Sequence, residues 1–270
     1  MSIPRILHYP GAKWSMANWI LGNMPEHTIY LEPYFGSGAL LFSKRRSSIE
    51  TVNDLDGDVT NLFEIVRTSP EQLAYAVYWT PYSREEYYKA YEPTDDRFEK
   101  ARRFLVRTWQ AIGAKTSDRT GWRSNIKTDK SPNKMAAGQW RDLPEKLIKV
   151  ADRLKGVQIE NKPALALMER YNQKDCLIYC DPPYILSTRN KRIYKYEMTE
   201  EDHEELLEML DAHLGPVLLS GYAHSLYDER LKHWKRETKR VKAEAGAFRE
   251  EVLWINPLAA ARVGQISMNL

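Results

Sequence analysis

Residues 28–46, TIYLEPYFGSGALLFSKRR, predict a short strand, a turn with two glycines and a helix in direct succession. A second unit of the same kind follows. IETVND at 49–54 is a strand candidate, and the stretch 56–67 carries apolar residues at 59, 62, 63 and 66, the spacing of one helix face. Strands and helices that alternate in this way favour an α/β fold with a parallel, doubly wound sheet.

The same alternation returns in the second half of the chain. We predict strands at 157–160, 176–180 and 216–221, and helices at 143–155, 163–171 and 199–214. The stretches 233–242 and 249–257 predict two more strands, which form an antiparallel hairpin at the edge of the sheet.

A helical, basic region separates the two α/β parts. Its periodicity predicts helices at 69–80, 83–93 and 95–114, whereas 115–138 is rich in turn residues and predicts an exposed loop or hairpin. The sequence therefore predicts an α/β domain formed by residues 1–68 and 156–270, with an insert at 69–155.

Length and composition suit a globular protein of this design. The chain has 270 residues, of which 43% are hydrophobic and 29% charged, so a largely disordered chain is excluded. We expect a soluble, cytoplasmic monomer, because no apolar run is long enough for a signal peptide or a membrane span and no apolar heptad stands out. Cys176 and Cys180 lie four apart on one predicted strand and are expected to be inert core thiols.

Charge is distributed unevenly, although the net charge is only +3. Residues 97–134 contain eleven Lys or Arg against three acids, and 230–242 contain seven against one. The acidic run 197–211 fits a solvated helix face, and the basic runs have the same possible explanation. We favour nucleic-acid binding for the basic runs, because tryptophans that could stack on bases lie in or beside them, namely Trp109, Trp122, Trp140 and Trp234.

The glycine-rich turn FGSG, at 35–38, follows the first strand and precedes a helix. Ligands of open α/β sheets bind beyond the carboxyl ends of the strands, and Gly36 and Gly38 allow the backbone to approach a ligand closely. A tight turn without a ligand is the alternative, because neither a P-loop nor a full dinucleotide fingerprint is present. Asp54, at the end of the next strand, is placed to accept hydrogen bonds from ribose hydroxyls, or else to cap the helix that begins near Gly57.

The sequence DPPY, at 181–184, ends the buried strand CLIYC and is more specific. Consecutive prolines fix the backbone, so Asp181 and the carbonyl of Pro182 form a rigid pair of acceptors, suited to an NH2 group with two hydrogens to donate. Tyr184 supplies a ring on which a planar base can stack. A simple Pro-Pro turn would not explain the adjacent acid and aromatic residue.

These motifs, in this order, resemble those of Dam-type, S-adenosylmethionine-dependent DNA adenine N6-methyltransferases of the alpha arrangement. The matching stretches are HYPGAKW (8–14), YLEPYFGSG (30–38), VNDLDGDV (52–59), IYCDPPY (178–184), VLLSGY (217–222) and EEVLWINP (250–257). The resemblance implies a Rossmann-like methyltransferase sheet, mostly parallel with an antiparallel edge hairpin, and a target-recognition insert. It also implies site-specific transfer of a methyl group from S-adenosyl-L-methionine to adenine N6 of a base flipped out of double-stranded DNA, without metal or membrane.

The resemblance also assigns roles to residues of this chain. The turn and Glu32 would hold the methionine part of the cofactor, Asp54 its ribose, and Asp181 the target amino group. Tyr9, where members of the family often have tryptophan, and Lys13 would help to close the site. The implied cofactor-binding residues are Tyr9, Lys13, Glu32, Phe35, Gly36, Ser37, Gly38, Asp54 and Asp181, and the implied catalytic residues are Asp181, Pro182, Pro183 and Tyr184.

Target recognition is expected within the stretch 115–138. GATC-reading members of the family carry an aromatic, Asn-Gly-rich hairpin in this region, whereas this chain has SDRTGWRSNIKTDKSPNKMAAGQW at 117–140. We therefore do not predict GATC as the target. The candidate contacts to bases or phosphates are Arg119, Arg123, Asn125 and Lys127.

Other functions remain open at this point. Methylation of cytosine N4 or of a protein amide is disfavoured, because such enzymes more often have Ser or Asn in place of Asp181. An adenine in RNA stays possible. A catalytically silent nucleic-acid-binding protein is disfavoured by the intact DPPY sequence, since binding alone does not require its pair of acceptors.

Overall fold

The computed structural model describes residues 3–125, 135–189, 192–242 and 248–268. Within these ranges the chain forms one seven-stranded sheet with the order β3-β2-β1-β4-β5-β7-β6. The strands are β1 (Ile29–Glu32), β2 (Ile49–Asn53), β3 (Val157–Glu160), β4 (Cys176–Cys180), β5 (Val217–Tyr222), β6 (Lys235–Lys242) and β7 (Phe248–Ile255). Strands β1 to β5 pair in parallel, and β7 runs antiparallel to both β5 and β6. The predicted parallel sheet with an antiparallel edge hairpin is therefore confirmed.

Twelve α-helices accompany the sheet in the described part of the chain. They are α1 (Ala17–Leu21), α2 (Ala39–Ser43), α3 (Gly57–Thr68), α4 (Pro70–Trp79), α5 (Arg84–Lys89), α6 (Arg97–Trp109), α7 (Ala136–Arg141), α8 (Leu143–Leu154), α9 (Ala164–Arg170), α10 (Glu200–Asp211), α11 (Ser225–Arg230) and α12 (Pro257–Met268). Helices α2 and α6 end earlier than predicted. Helices α1, α7, α11 and α12 were not predicted, and the first three have only five or six residues, too few to establish a periodic pattern.

The end of β7 shows why the last predicted strand stops short. The Asn256 side-chain oxygen accepts hydrogen bonds from the backbone N–H groups of Val217 and Ala259, and its amide nitrogen donates to the Gly215 carbonyl. Asn256 thus ties the start of α12 to the start of β5. Pro257 then begins the helix, where its missing N–H has no cost.

Apolar residues fill both faces of the sheet. All five residues of β4 are buried, and successive side chains point to opposite faces. Leu177 and Tyr179 belong to one hydrophobic cluster, whereas Cys176, Ile178 and Cys180 belong to the other. Both cysteines are free and buried, as expected for core thiols, and burial raises the pKa of Cys176 to about 12.

The insert helices pack against the same core as the sheet. Leu73 of α4, Phe104 of α6 and Leu147 of α8 share one apolar cluster with Tyr30 of β1 and Val52 of β2. Amphipathic helices are stabilised in this way by burial of one face. The division of the chain at residues 69 and 155 stays a prediction.

Three of the four tryptophans that we expected to stack on bases lie in the interior instead. Trp109, Trp140 and Trp234 are each at most 5% exposed. The indole N–H groups of the first two donate to the buried carbonyls of Ile6 and Thr80, and that of Trp234 donates to the Asp211 carboxylate. The expectation was therefore wrong for these three, since a tryptophan beside basic residues is equally suited to the protein core.

Candidate active site

A cavity of about 270 Å³ lies beyond the carboxyl ends of β1, β2 and β4. Parallel strands present these ends at the same edge of the sheet, and the loops that follow them therefore converge there. Of the residues predicted for the site, those lining the cavity are Tyr9, Lys13, Glu32, Phe35, Gly36, Ser37, Asp54, Asp181 and Pro183. Gly38, Pro182 and Tyr184 adjoin these residues in the chain but are not among those that line it.

The FGSG turn needs glycine at two positions for different reasons. Gly36 has φ +48°, and a Cβ there would lie 3.0 Å from the Tyr9 ring, which packs directly on the turn. Gly38 has φ +70° and precedes α2, and a Cβ there would lie 2.5 Å from the rings of Phe35 and Phe42. The turn therefore combines a left-handed backbone with close packing, and a larger side chain would disrupt both.

Asp54 joins the Gly-rich turn to the end of β2. Its Oδ2 accepts from the Gly36 N–H at 2.8 Å and its Oδ1 accepts from the Asp56 N–H at 2.9 Å. The cap of α3 is Asp56, whose side chain accepts from the Asp58 N–H, so the alternative that Asp54 caps this helix is wrong. Burial raises the pKa of Asp54 to about 7, against the opposing effect of its two backbone hydrogen bonds. Each carboxylate oxygen keeps a second lone pair for a ligand.

Glu32 is a second buried carboxyl group at the cavity. It is 2% exposed, and the Tyr30 hydroxyl donates to its Oε2 at 2.8 Å. Burial raises the pKa of Glu32 to about 8, and the hydrogen bond from Tyr30 opposes this rise. The carboxyl group of Glu32 is therefore harder to ionise than that of an exposed glutamate.

Lys13 and Asp181 form an ion pair across the cavity wall. The Lys13 Nζ lies 2.8 Å from Asp181 Oδ1 and donates to the Gly11 carbonyl at 2.7 Å. Even so, Asp181 Oδ1 receives no hydrogen bond of good geometry from the described residues. Burial raises the pKa of Asp181, and the Lys13 charge opposes the rise. Asp181 is thus a largely buried carboxylate at the cavity whose charge is compensated by Lys13.

Tyr184 is held from the side of the edge hairpin. Its hydroxyl donates to Glu251 Oε2 at 2.8 Å, and its ring packs edge-on against Tyr222 with 4.5 Å between the ring centroids. Lys13 Nζ lies over the ring, 4.8 Å from its centroid. The side chain is 8% exposed. Sequence reasoning missed Glu251, because 251–256 is buried throughout and so offers no alternating pattern that would single out the acid.

A second buried ion pair, between Arg189 and Glu197, organises the segment that follows DPPY. Arg189 Nε donates to the Tyr184 carbonyl at 3.0 Å, and Glu197 Oε1 accepts from the backbone N–H groups of Ile193 and Tyr194 at 2.8 and 3.0 Å. Tyr194 and Glu197 line the cavity. Sequence reasoning missed this pair as well, since nothing in the chain links residues eight apart in an irregular segment.

The candidate DNA contacts lie apart from the cavity. Arg119 is exposed and its guanidinium lies over the rings of Tyr88 and Tyr91, whereas Arg123 is half-buried. Asn125 is exposed, and its Oδ1 accepts from a backbone N–H at the start of α7. Lys127 lies outside the described residues.

The two regions are nevertheless connected. The N–H and the hydroxyl of Thr116 both donate to the Ile193 carbonyl, at 3.0 and 3.3 Å, and Ile193 precedes Tyr194, which lines the cavity. The stretch that carries Arg119 is therefore anchored to residues at the cavity.

The described ranges contain no group of three or more His, Cys, Asp or Glu side chains arranged to hold a metal ion. No helix in them is both long and apolar enough to cross a bilayer.

Comparison with known proteins identifies the family. A search of curated proteins gives no match to this chain. The family model for the D12 class N6 adenine-specific DNA methyltransferases matches residues 9–245, which include the cavity, the DPPY sequence and the insert. The chain belongs to this family and is a DNA adenine methyltransferase.

Proposed function

We propose that this enzyme transfers a methyl group from S-adenosyl-L-methionine to N6 of an adenine that is flipped out of double-stranded DNA at a specific site. The observation that carries the proposal is Asp181, a largely buried carboxylate that follows β4, pairs with Lys13 and lines the cavity. Asp181 lies at the end of β4, where it adjoins the cavity.

The residues at the cavity fit S-adenosylmethionine. Asp54 supplies a carboxylate for ribose hydroxyls, and the left-handed turn brings backbone close to the cavity. Leu55, Ala164 and Leu165 also line it and offer apolar contacts for an adenine ring. When bound, this cofactor supplies an electrophilic methyl group.

The task of the protein is to present the adenine amino nitrogen to that methyl group. The lone pair of this nitrogen is drawn into the ring, which makes it a poor nucleophile. Hydrogen bonds from its two N–H groups to Asp181 and to the Pro182 carbonyl favour a pyramidal nitrogen with an available lone pair. The carboxylate also stabilises the positive charge that grows on the nitrogen, and positioning contributes up to several kcal/mol to the lower barrier.

Access to the base requires that it leave the duplex. Flipping costs a few kcal/mol, and phosphate contacts from basic side chains offset this cost. We propose Arg119, Arg123 and Asn125 for contacts with DNA, with Tyr184 as the ring on which the base stacks. Because Tyr184 is only 8% exposed, stacking requires a neighbouring side chain to move, and Lys13 lies over its ring. We further propose that the protein acts as a monomer.

The proposal is tested with isotope-labelled S-adenosylmethionine and separate pools of duplex DNA, RNA and protein. Label is expected in duplex DNA for the wild type and in no pool for Asp181→Ala, while the variant keeps its affinity for DNA. Label in RNA alone, in protein, or in no pool for the wild type would refute the proposal.

A further inference from the structure

Glu251 is a buried acid on β7, where the other equally buried residues are apolar. The side chain is 7% exposed, and its successors Val252, Leu253 and Trp254 are each at most 1% exposed. Burying a carboxyl group costs free energy unless partners compensate, so an apolar residue would be the cheaper choice for stability. Burial indeed raises the pKa of Glu251, against the opposing effect of the Lys13 charge.

The partner of Glu251 is the Tyr184 hydroxyl, which donates to Oε2 at 2.8 Å. The hydroxyl lies on the axis about which the phenol ring flips. A hydrogen bond to it therefore fixes the direction of this axis, and with it the tilt of the ring, but does not itself prevent the flip. Tyr222, the register partner of Glu251 on β5, packs edge-on against the same ring and restricts its rotation. Two paired residues of β5 and β7 thus hold one side chain of the DPPY sequence.

The backbone of Tyr184 is fixed separately. Arg189 Nε donates to its carbonyl at 3.0 Å, and Arg189 is itself ion-paired with Glu197. Since the backbone is already anchored, the effect of Glu251 is directed at the orientation of the ring.

Asp181 is the other acid that the Tyr184 hydroxyl influences. The hydroxyl has a single proton and donates it to Glu251 at 2.8 Å, and a hydrogen bond from Tyr184 also lowers the pKa of Asp181. Glu251 therefore competes with Asp181 for this proton.

We infer that Glu251 is a positioning residue for adenine methylation, which holds the Tyr184 hydroxyl so that the ring is oriented for the target base. This inference rests on the proposed function. Glu251 acts through Tyr184 and touches neither the base nor the cofactor.

Glu250 provides the matched control. It precedes Glu251 on β7, but its side chain is 50% exposed and faces Arg236 at 3.7 Å. A change at Glu250 removes an acid from the same strand without touching Tyr184.

The test compares steady-state methylation of duplex DNA by variants whose melting temperatures are also measured. Glu251→Met removes the acceptor but keeps the volume, and we expect kcat to fall by about tenfold or more, because a misplaced ring reduces productive alignment. Glu251→Gln keeps an acceptor oxygen and should stay within about threefold of the wild type, as should Glu250→Ala. Binding of cofactor should be unchanged in all three.

A double variant separates orientation from general stability. Tyr184→Phe keeps the ring and removes the hydroxyl, so adding Glu251→Met to it should cause little further loss of kcat. Three outcomes would each overturn the inference. The first is a double variant in which the two losses of kcat multiply. The others are a kcat for Glu251→Met equal to that of Glu250→Ala, and a Glu251→Gln variant as impaired as Glu251→Met. A wild-type protein that methylates no DNA would instead refute the proposed function. If Glu251→Met fails to fold, the kcat values of Glu251→Gln and Tyr184→Phe still test the inference, since it requires Tyr184→Phe to be the more impaired of these two variants.

Discussion

Removing Arg189 should destabilise the protein far more than removing a lysine from the surface. Arg189 and Glu197 are 6% and 4% exposed, and replacing Arg189 with alanine leaves the Glu197 carboxylate buried without its counter-charge. Breaking a buried pair in this way costs about 3–5 kcal/mol. We expect the lower end of this range, because the backbone N–H groups of Ile193 and Tyr194 continue to donate to Glu197.

The effect should also depend on pH. Burial by itself would raise the pKa of Glu197, but the hydrogen bonds from Arg189 and the backbone outweigh it and hold this pKa below its usual value. A carboxyl group whose pKa is lowered by folding contributes stability above its unfolded pKa and loses that contribution as the pH falls through the folded value. The difference between the wild type and Arg189→Ala should therefore shrink in acid.

Urea unfolding at neutral pH measures the difference in free energy. Lys155→Ala is the control, because Lys155 pairs with Asp152 at 3.0 Å while both side chains are 76% exposed, and such surface pairs are worth about 0–1 kcal/mol. A cost for Arg189→Ala within about 1 kcal/mol of the control would refute the reasoning, since it would mean that the pair is not energetically buried.

Three further predictions concern the cofactor site and the DNA surface. Affinity for S-adenosylmethionine should fall as the pH drops below about 7, because the pKa of Asp54 is raised to about 7 and only its ionised form accepts hydrogen bonds from both ribose and backbone. Calorimetric titration should show that affinity depends less on pH in Asp54→Asn. Gly38→Ala should cost about 2–4 kcal/mol of unfolding free energy, because it combines a left-handed backbone with a clash against Phe35 and Phe42. Arg119→Ala should weaken duplex binding across sequences and lower the salt slope by about 1, while cofactor affinity stays the same.

Each of these has an outcome that contradicts it. An equally steep pH profile in Asp54→Asn would assign the titration to another group, with Glu32 the first candidate. An unchanged melting curve for Gly38→Ala would show that the turn relaxes. Loss of cofactor binding in Arg119→Ala would indicate that Arg119 contributes to the cofactor site and not to the DNA surface.

Motifs at strand ends allowed much of the site to be predicted, because their chemistry is local. The order of strand, turn and helix around FGSG and DPPY placed Asp54 and Asp181 at one edge of a parallel sheet, and both line the cavity. Asp54 forms its hydrogen bonds within a few residues of its own strand and the neighbouring turn. Such contacts follow from topology, which the sequence pattern reveals.

Contacts that depend on three-dimensional packing were not predictable in this way. Glu251 contacts Tyr184 only because β7 pairs antiparallel with β5, and the sequence around each residue does not indicate this contact. Trp109 was assigned to nucleic acid because it lies among basic residues, whereas its ring fills the core and its N–H meets the Ile6 carbonyl. Local composition distinguishes poorly between a ring that binds a base and a ring that fills a core.

The central claim, that Asp181 prepares an adenine amino group in duplex DNA for methylation, is tested most directly by identifying the methylated atom. Unmethylated duplex DNA is incubated with S-adenosylmethionine and the wild type or Asp181→Ala, digested to nucleosides and analysed by mass spectrometry. The account predicts N6-methyldeoxyadenosine with the wild type and none with the variant. Methylation of another nucleoside, or equal N6-methyldeoxyadenosine from both proteins, would contradict it.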